Sequence, residues 1–281
     1  MPSLLSYRSA IHEFEDVLDT VKTEEKIAAA SIHTLRASVE DSIRRRTAIK
    51  EVLDRLSVFI GSTDQPLLQK KPRGKRMLVV LTGDKGLVGG LYHNLITLVE
   101  DSKGKYDEIC VVGAKGEQYL REEHIEIAHV FSSFDRIPDN GDADAITGYI
   151  FERFNTGDYA AVDIAYPQFH SLGNQQPAIV PFLPFVFAPE HAGEAEGFPI
   201  FDPDKKAVYG WFLERYVSSF FYQILLEYIL SEFSARTVSM ENAGQKTKEF
   251  LQHAKLTYFK VRRRLSTQKQ LESFTAFHHS L

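Results

Sequence analysis

The segment from Asp204 to Leu281 contains no proline. So long a run without that breaker constrains the fold more than any other feature of the chain. Asp202-Pro203 precedes it and reads as a helix start. Aspartate is a good N-cap, and proline at the first helical position lacks only an N–H that would be unpaired anyway. A helix over most of this segment is roughly 100 Å long at about 1.5 Å per residue, more than an ordinary globular domain needs. Its seam runs Leu230, Phe233, Thr237, Met240, Gly244, Thr247, Leu251, Ala254, Tyr258, Val261, Leu265, Gln268. That is heptad spacing, with several small or polar members.

The other end of the chain carries the same signal more strongly. Ser3 to Ile60 has neither proline nor glycine. Its register is Leu4, Tyr7, Ile11, Phe14, Leu18, Val21, Glu25, Ala28, Ile32, Leu35, Val39, Ser42, Arg46, Ile49, Leu53, Leu56, Ile60. Only Glu25, Ser42 and Arg46 break the apolar pattern, so a helix roughly 85 Å long in a left-handed coiled coil is expected. Ser3 is the expected N-cap, and Gly61 to Asp64 with Pro66 are the expected stop. Glu25 on the seam has two readings: an open place where the carboxylate reaches water or Lys22, or a register or contact device.

Between these helices the pattern changes. Met77 to Thr82 is a buried-strand run, Gly83 to Gly90 is glycine-rich, and Leu91 to Ser102 is helical. Strands are predicted at 108–113, 125–131 and 160–166, and helices at 114–122 and 142–154. Gln175 to Phe187 reads as an extended edge that tolerates its prolines. Alternating strands and helices predict a parallel or mixed sheet with helices packed on it. The fold class is therefore α/β: two long terminal helices forming an antiparallel coiled coil, with an inserted Rossmann-like α/β domain. The division is 1–66, 67–200 and 201–281. The C-terminal helix is the longer, so one of its ends should outrun its partner.

Composition excludes several function classes. A net charge of −5 and a pI near 6.1 give no global bias toward nucleic acid. The basic linker Lys70, Lys71, Arg73, Lys75, Arg76 lacks interleaved aromatics and reads as a solvated loop entering a strand. Cys110, the one cysteine, lies in an apolar run. It excludes an internal disulfide framework and fits a reducing compartment. The first residues lack the basic-then-apolar pattern of a signal peptide. Tyr216 to Leu230, the greasiest segment, is too short to span a bilayer and contains Gln223 and Glu227.

Thr82 to Gly90 has the context of a phosphate loop, since it follows a strand and precedes a helix. It matches neither G-x-x-x-x-G-K-[ST] nor G-x-G-x-x-G. Gly113-Ala-Lys-Gly116 is weaker. Tight turns against the sheet are the better reading, with Asp84, Gly86, Gly89 and Gly90 as structural turn residues. The ten histidines are scattered, His278-His279 has no matching ligands nearby, and no nucleophile elbow is present. Asp142 and Asp144 read as helix-capping residues. No catalytic, cofactor or metal site is expected. Lys260, Arg262, Arg263 and Arg264 form a basic band on more than one face of the long helix. It reads either as a solvated surface or as the counterpart of an encircling acidic one.

Leu230-Ser-Glu-Phe-Ser-Ala-Arg236, Met240, Tyr258, Lys260, Arg262, Thr267 and Gln268 resemble, in identity and spacing, the C-terminal signature of the γ subunit family of F-type rotary ATP synthases. Val79 to Leu91 resembles that family's strand and glycine turn. Ala28-Ala-Ala-Ser31 and Leu35-Arg36 resemble its first helix. The resemblance implies a non-catalytic rotor shaft inside a ring of α and β subunits, coupling ion flow to ATP synthesis or hydrolysis. The implied partners are the α and β subunits, an ε-type subunit and the membrane-embedded c ring, the last giving the only membrane contact. No nucleic acid and no cofactor are implied. The implied place is the cytoplasmic face of the bacterial inner membrane. Contacts with the catalytic ring are implied for Glu25, Lys26, Arg236, Lys260, Arg262, Thr267 and Gln268. Glu25 stands where the family has Met, Val88 where it has Cys, Arg263 where it has Gln, and Lys269 where it has Glu. These departures alter charge at the shaft–ring contact. The competing readings are a coiled-coil scaffold with a nucleotide-sensing α/β domain and an enzyme built on that domain. The missing phosphate signatures count against both.

Overall fold

The computed structural model describes residues 4–59, 65–134, 136–188 and 200–278. Its elements are α1 (Leu4–Ser57), β1 (Lys75–Leu81), α2 (Leu91–Ser102), β2 (Glu108–Val112), α3 (Ala114–Glu122), β3 (His129–Phe131), α4 (Asn140–Asn155), β4 (Tyr159–Ser171), β5 (Asn174–Leu183) and α5 (Lys205–His278). The chain divides into two compact units. One comprises residues 1–28 with 237–281, the other residues 29–236.

The larger unit is built on a five-stranded mixed sheet in the order β3-β2-β1-β4-β5. The first four strands are parallel and β5 is antiparallel to β4. Side chains of β1 alternate between the sheet faces, as the pleat requires. Met77, Val79 and Leu81 join Cys110, Val112, Val162 and Ile164 in a core shared with α4 and with parts of α1 and α5. Leu78 and Val80 join Ile109, Val111 and Ala165 under α2 and α3. Because helices cover both faces, the strands read as continuous apolar runs rather than alternating ones. Leu35 and Leu53 of α1 and Phe221, Leu225 and Tyr228 of α5 are fully or almost fully buried here. Each such side chain contributes about 1.5–3 kcal/mol on leaving water.

Lys70, Arg73, Lys75 and Arg76 of the basic linker are exposed, as a solvated loop entering a strand requires, while three of its cations also reach carbonyl or carboxylate partners. Lys71 Nζ donates to the Phe154 carbonyl at 2.5 Å and lies 4.1 Å from the centre of its ring. Lys75 pairs with Glu108 at 3.0 Å, and Arg76 with the buried Asp163 at 2.7 Å.

In the smaller unit the two helices run in opposite directions. Phe14 stacks with Phe250, Lys255 pairs with Glu15, and Val21 lies against Gly244. Every position of the α1 heptad register from Leu4 to Leu56 is buried or half-buried, and Ile60 lies outside the described residues.

Several boundaries differ from the sequence expectations. α5 begins at Lys205, and Asp204 rather than Asp202 caps it. The Asp204 carboxylate accepts the Ala207 N–H at 2.9 Å, and its carbonyl accepts the Val208 N–H. α1 ends at Ser57, while Ser3 and Gly61 to Asp64 lie outside the described residues. β3 begins only at His129: Ile125 is buried by a turn in which its N–H bonds back to Leu120. α4 begins at Asn140, where Asp139 and Asp142 form a reciprocal capping box. Asp144 is not a cap, because it pairs with Arg215 and Ser218 of α5. β4 runs on to Ser171 and turns directly into β5, a hairpin that the sequence reading did not anticipate.

Candidate functional site

The glycine turn closes the C-terminal end of β1, and each of its first residues is fastened differently. Thr82 Oγ1 donates to the Val112 carbonyl at 2.7 Å and accepts the Gly116 N–H at 2.9 Å. The Gly83 N–H donates to Tyr92 Oη at 2.9 Å. Asp84 Oδ1 accepts the Ala114 N–H at 2.6 Å, so a carboxylate of the chain occupies the N-terminus of α3. The Gly86 carbonyl accepts two N–H groups of Arg236, each at 3.4 Å. Leu87 is exposed and holds φ +66°, a left-handed conformation that costs a non-glycine residue about 1–2 kcal/mol. Gly89 holds φ +59°, and Gly90 precedes the first residue of α2.

Close approach calls for glycine at several positions, Gly83 and Gly113 among them. A Cβ on Gly83 would lie 2.8 Å from both Glu232 Oε2 and Tyr92 Oη. A Cβ on Gly113, where φ is +93°, would lie 2.2 Å from the Thr82 carbonyl oxygen.

Behind the turn is a buried polar cluster on α5. Glu232 Oε1 accepts from Arg236 at 2.5 Å, and Oε2 accepts the Tyr228 hydroxyl at 2.7 Å. The Arg236 side chain is 7% exposed and also faces the Phe233 ring at 5.7 Å. Burial, then the neighbouring Glu232 charge, holds the Tyr92 and Tyr228 hydroxyls well above the usual phenol range. Both therefore stay protonated and able to donate. A charge pair this deep is strongly coupled: removing one partner leaves the other buried and uncompensated.

The remaining residues implied as ring contacts fall in the smaller unit. Glu25 is half-buried and Lys26 exposed on α1. Lys260, Arg262, Thr267 and Gln268 are exposed on α5. Thr267 Oγ1 donates to the Arg263 carbonyl, and Gln268 donates to Glu272 at 3.0 Å. The structure does not gather these residues into one cluster. The pairing of Val21 with Gly244 and of Glu15 with Lys255 puts Glu25 and Lys26 opposite the start of this unit's α5 segment. Lys260 to Gln268 lie about 30 Å or more further along. From Arg262 to Thr275 every residue is exposed, including Leu265, Leu271 and Phe274. Arg236 differs from the others in being buried within the larger unit, with its guanidinium committed to Glu232 and Gly86.

Sequence reasoning quoted Glu232 within a motif but assigned it no role, and missed Tyr92 and Tyr228. The one local signal was the Glu232–Arg236 spacing of four on a helix. Among the described residues no group of three His, Cys, Asp or Glu is placed to hold a metal ion. Nor is any helix there long and apolar enough to cross a membrane.

Residues 3–272 match the protein-family model described as ATP synthase. The chain is 29% identical over 273 residues to the ATP synthase gamma chain of Pelotomaculum thermopropionicum, covering 96% of each. It is 28% identical over 284 residues to that of Polynucleobacter asymbioticus, covering 97% of each. Its fold is similar to a chain of the Euglena gracilis mitochondrial ATP synthase (OSCP/F1/c-ring, rotational state 3). The TM-score is 0.61 at 20% identity, over 97% of this chain and 96% of that one. A chain of the Tetrahymena thermophila mitochondrial ATP synthase central stalk and c-ring gives a TM-score of 0.60 at 20% identity, over 80% and 99%.

Proposed function

The chain belongs to the ATP synthase gamma-chain family, and from that premise we infer that it is the central-stalk subunit of an F-type ATP synthase. As a stalk it contributes no catalytic residue and acts by moving. The observation that carries this reading is the end of α5. A helix that continues past the start of its antiparallel partner, exposing Leu265, Leu271 and Phe274 among basic residues, is built to be covered by another chain.

In this reading the terminal helices wind as an antiparallel coiled coil, and the inserted body is Rossmann-like. The parts 1–66, 67–200 and 201–281 are shaft, body and longer shaft helix. The α and β subunits surround the shaft, and an ε-type subunit and the c ring hold the body at the cytoplasmic face of a bacterial inner membrane. Glu25, Lys26, Lys260, Arg262, Thr267 and Gln268 face the ring. Arg236, being buried, acts from inside by fixing the glycine turn to α5.

The test is ATPase activity of the cognate α and β subunits purified with and without this chain. The expected result is that the chain co-purifies in less than one copy per β and stimulates turnover. If α and β neither bind it nor respond to it, the reading is wrong.

A further inference from the structure

Two routes lead from the glycine turn to one carboxylate on α5. The first starts at Gly83, whose N–H donates to Tyr92 Oη. That oxygen lies against Glu232 and the Tyr228 hydroxyl, and Tyr228 itself donates to Glu232. The second starts at the Gly86 carbonyl, which accepts from Arg236, and Arg236 in turn pairs with Glu232. Between the two, Asp84 ties the turn to α3. What remains free is the tip: Lys85 and Leu87 are exposed.

We infer that Tyr92 is a positioning residue, which stiffens the glycine turn against α5 so that force on the Lys85–Leu87 tip passes into the long helix. This rests on the central-stalk reading above. Apolar packing joins β1 to α5 only as far as Leu81, the last residue of the strand. Val88 returns to the same core at the far end of the turn, whereas at Gly83, Asp84 and Gly86 the fastening is polar, and the stiffness of that stretch depends on how many backbone groups are held. Tyr92 is 2% exposed, so its bond to Gly83 is shielded from water. The turn also holds a non-glycine residue, Leu87, in a left-handed conformation. Such a conformation persists only where the surroundings enforce it. Tyr92 is buried within the chain's own body, so its part in coupling is indirect.

The experiment uses the complete ATP synthase, assembled from cognate subunits with either wild-type or Tyr92→Phe chain. Ion pumping per ATP hydrolysed is measured against an opposing ion gradient. Phenylalanine keeps the ring in its packing and removes only the bridging oxygen. The expected result is normal assembly and hydrolysis with pumping per ATP reduced about twofold or more, since the buried Gly83 N–H loses its partner and the turn its fastening. Glu232→Gln is expected to act in the same sense. The double variant should fall no further than Glu232→Gln alone, because the Tyr92 route ends on that carboxylate. Ile150→Val, a core truncation on α4, controls for stability: it should lower the melting temperature and leave pumping per ATP unchanged. The inference is overturned if Tyr92→Phe pumps as wild type under load, or if its effect adds to that of Glu232→Gln. If the wild-type chain fails to assemble with α and β, the central-stalk reading falls and this inference falls with it.

Discussion

Lys255 Nζ lies 2.7 Å from Glu15 Oε1, a bridge from α5 to α1 placed beside the stacked rings of Phe14 and Phe250. The hydrogen bond from Lys255 holds the Glu15 carboxyl below the usual carboxylate range. The pair is exposed to water and screened by salt, so its value is in fixing register rather than in stability. Further along, Val21 meets Gly244. Rising numbers on one helix meet falling numbers on the other, which defines an antiparallel pair.

That register predicts a crosslink. A Cβ on Gly244 would lie 3.6 Å from Val21 Cγ1, the atom whose place a cysteine sulfur would take, so the two thiols come within reach of a disulfide with small adjustment. The Val21→Cys, Gly244→Cys chain should close an intrachain disulfide under mild oxidation, seen as a reducible mobility shift on a gel. Cys110 will not compete, being buried. Absence of the shift would refute the register.

Gly113→Ala tests whether the glycine turn and its neighbour are close-packed by necessity. The new methyl would meet the Thr82 carbonyl at 2.2 Å, on a backbone at φ +93°. Strain and overpacking together should cost about 3 kcal/mol or more. Gly104→Ala is the control, since nothing lies within 4 Å of its added Cβ. Urea unfolding should separate the two variants clearly; equal midpoints would mean that the approach of Gly113 to Thr82 is not real.

The sequence made legible whatever recurs at short intervals. The α1 heptads predicted its buried side residue by residue, and the run from Met77 located β1. What it hid lies between residues far apart. Gly83 to Glu232 is a contact across about half the chain, and no periodicity announces it. The β4–β5 hairpin was hidden because residues 167–174, between the two expected extended segments, carry no apolar run to mark the continuation of β4 to Ser171 or the short turn at Leu172-Gly173. Ile125 misled because an apolar residue can be buried by a turn as well as by a strand. Asp202 and Asp204 are equally good caps on paper, and the choice between them depends on where the first helical N–H groups point. Lys260 and Arg262 stood out in the sequence as part of a basic band with two readings, while Thr267 and Gln268 were named through resemblance alone, since exposed side chains carry no packing signal.

Cys110 predicts a pH dependence. Burial pushes its thiol from 9.0 up to about 11. A group whose folded value is raised favours its protonated form when folded. Its stabilising contribution is thus complete below pH 9 and is lost as pH rises toward 11, at about 1.4 kcal/mol per unit. Cys110→Ala should therefore flatten the fall in unfolding free energy between pH 9 and 11. The native thiol should also resist a thiol reagent at pH 8 and react at once in denaturant. An unchanged slope in the alanine variant would assign the alkaline loss to the buried tyrosines instead.

Arg262 and Gln268 separate stability from function. Both are exposed on α5, and among the described residues Gln268 donates within its own helix, to Glu272. Replacing both with alanine should leave the unfolding free energy of the isolated chain within about 0.5 kcal/mol. In the assembled enzyme the outcome should differ. If these side chains reach charge-assisted partners in the ring, the double variant assembles but pumps fewer ions per ATP hydrolysed. The two measurements divide the possibilities. A large loss of stability would mean that the side chains serve the shaft itself. Normal stability with normal pumping would remove both residues from the coupling path and shift the weight of the contact to Lys260, Thr267 and the apolar residues of the tip.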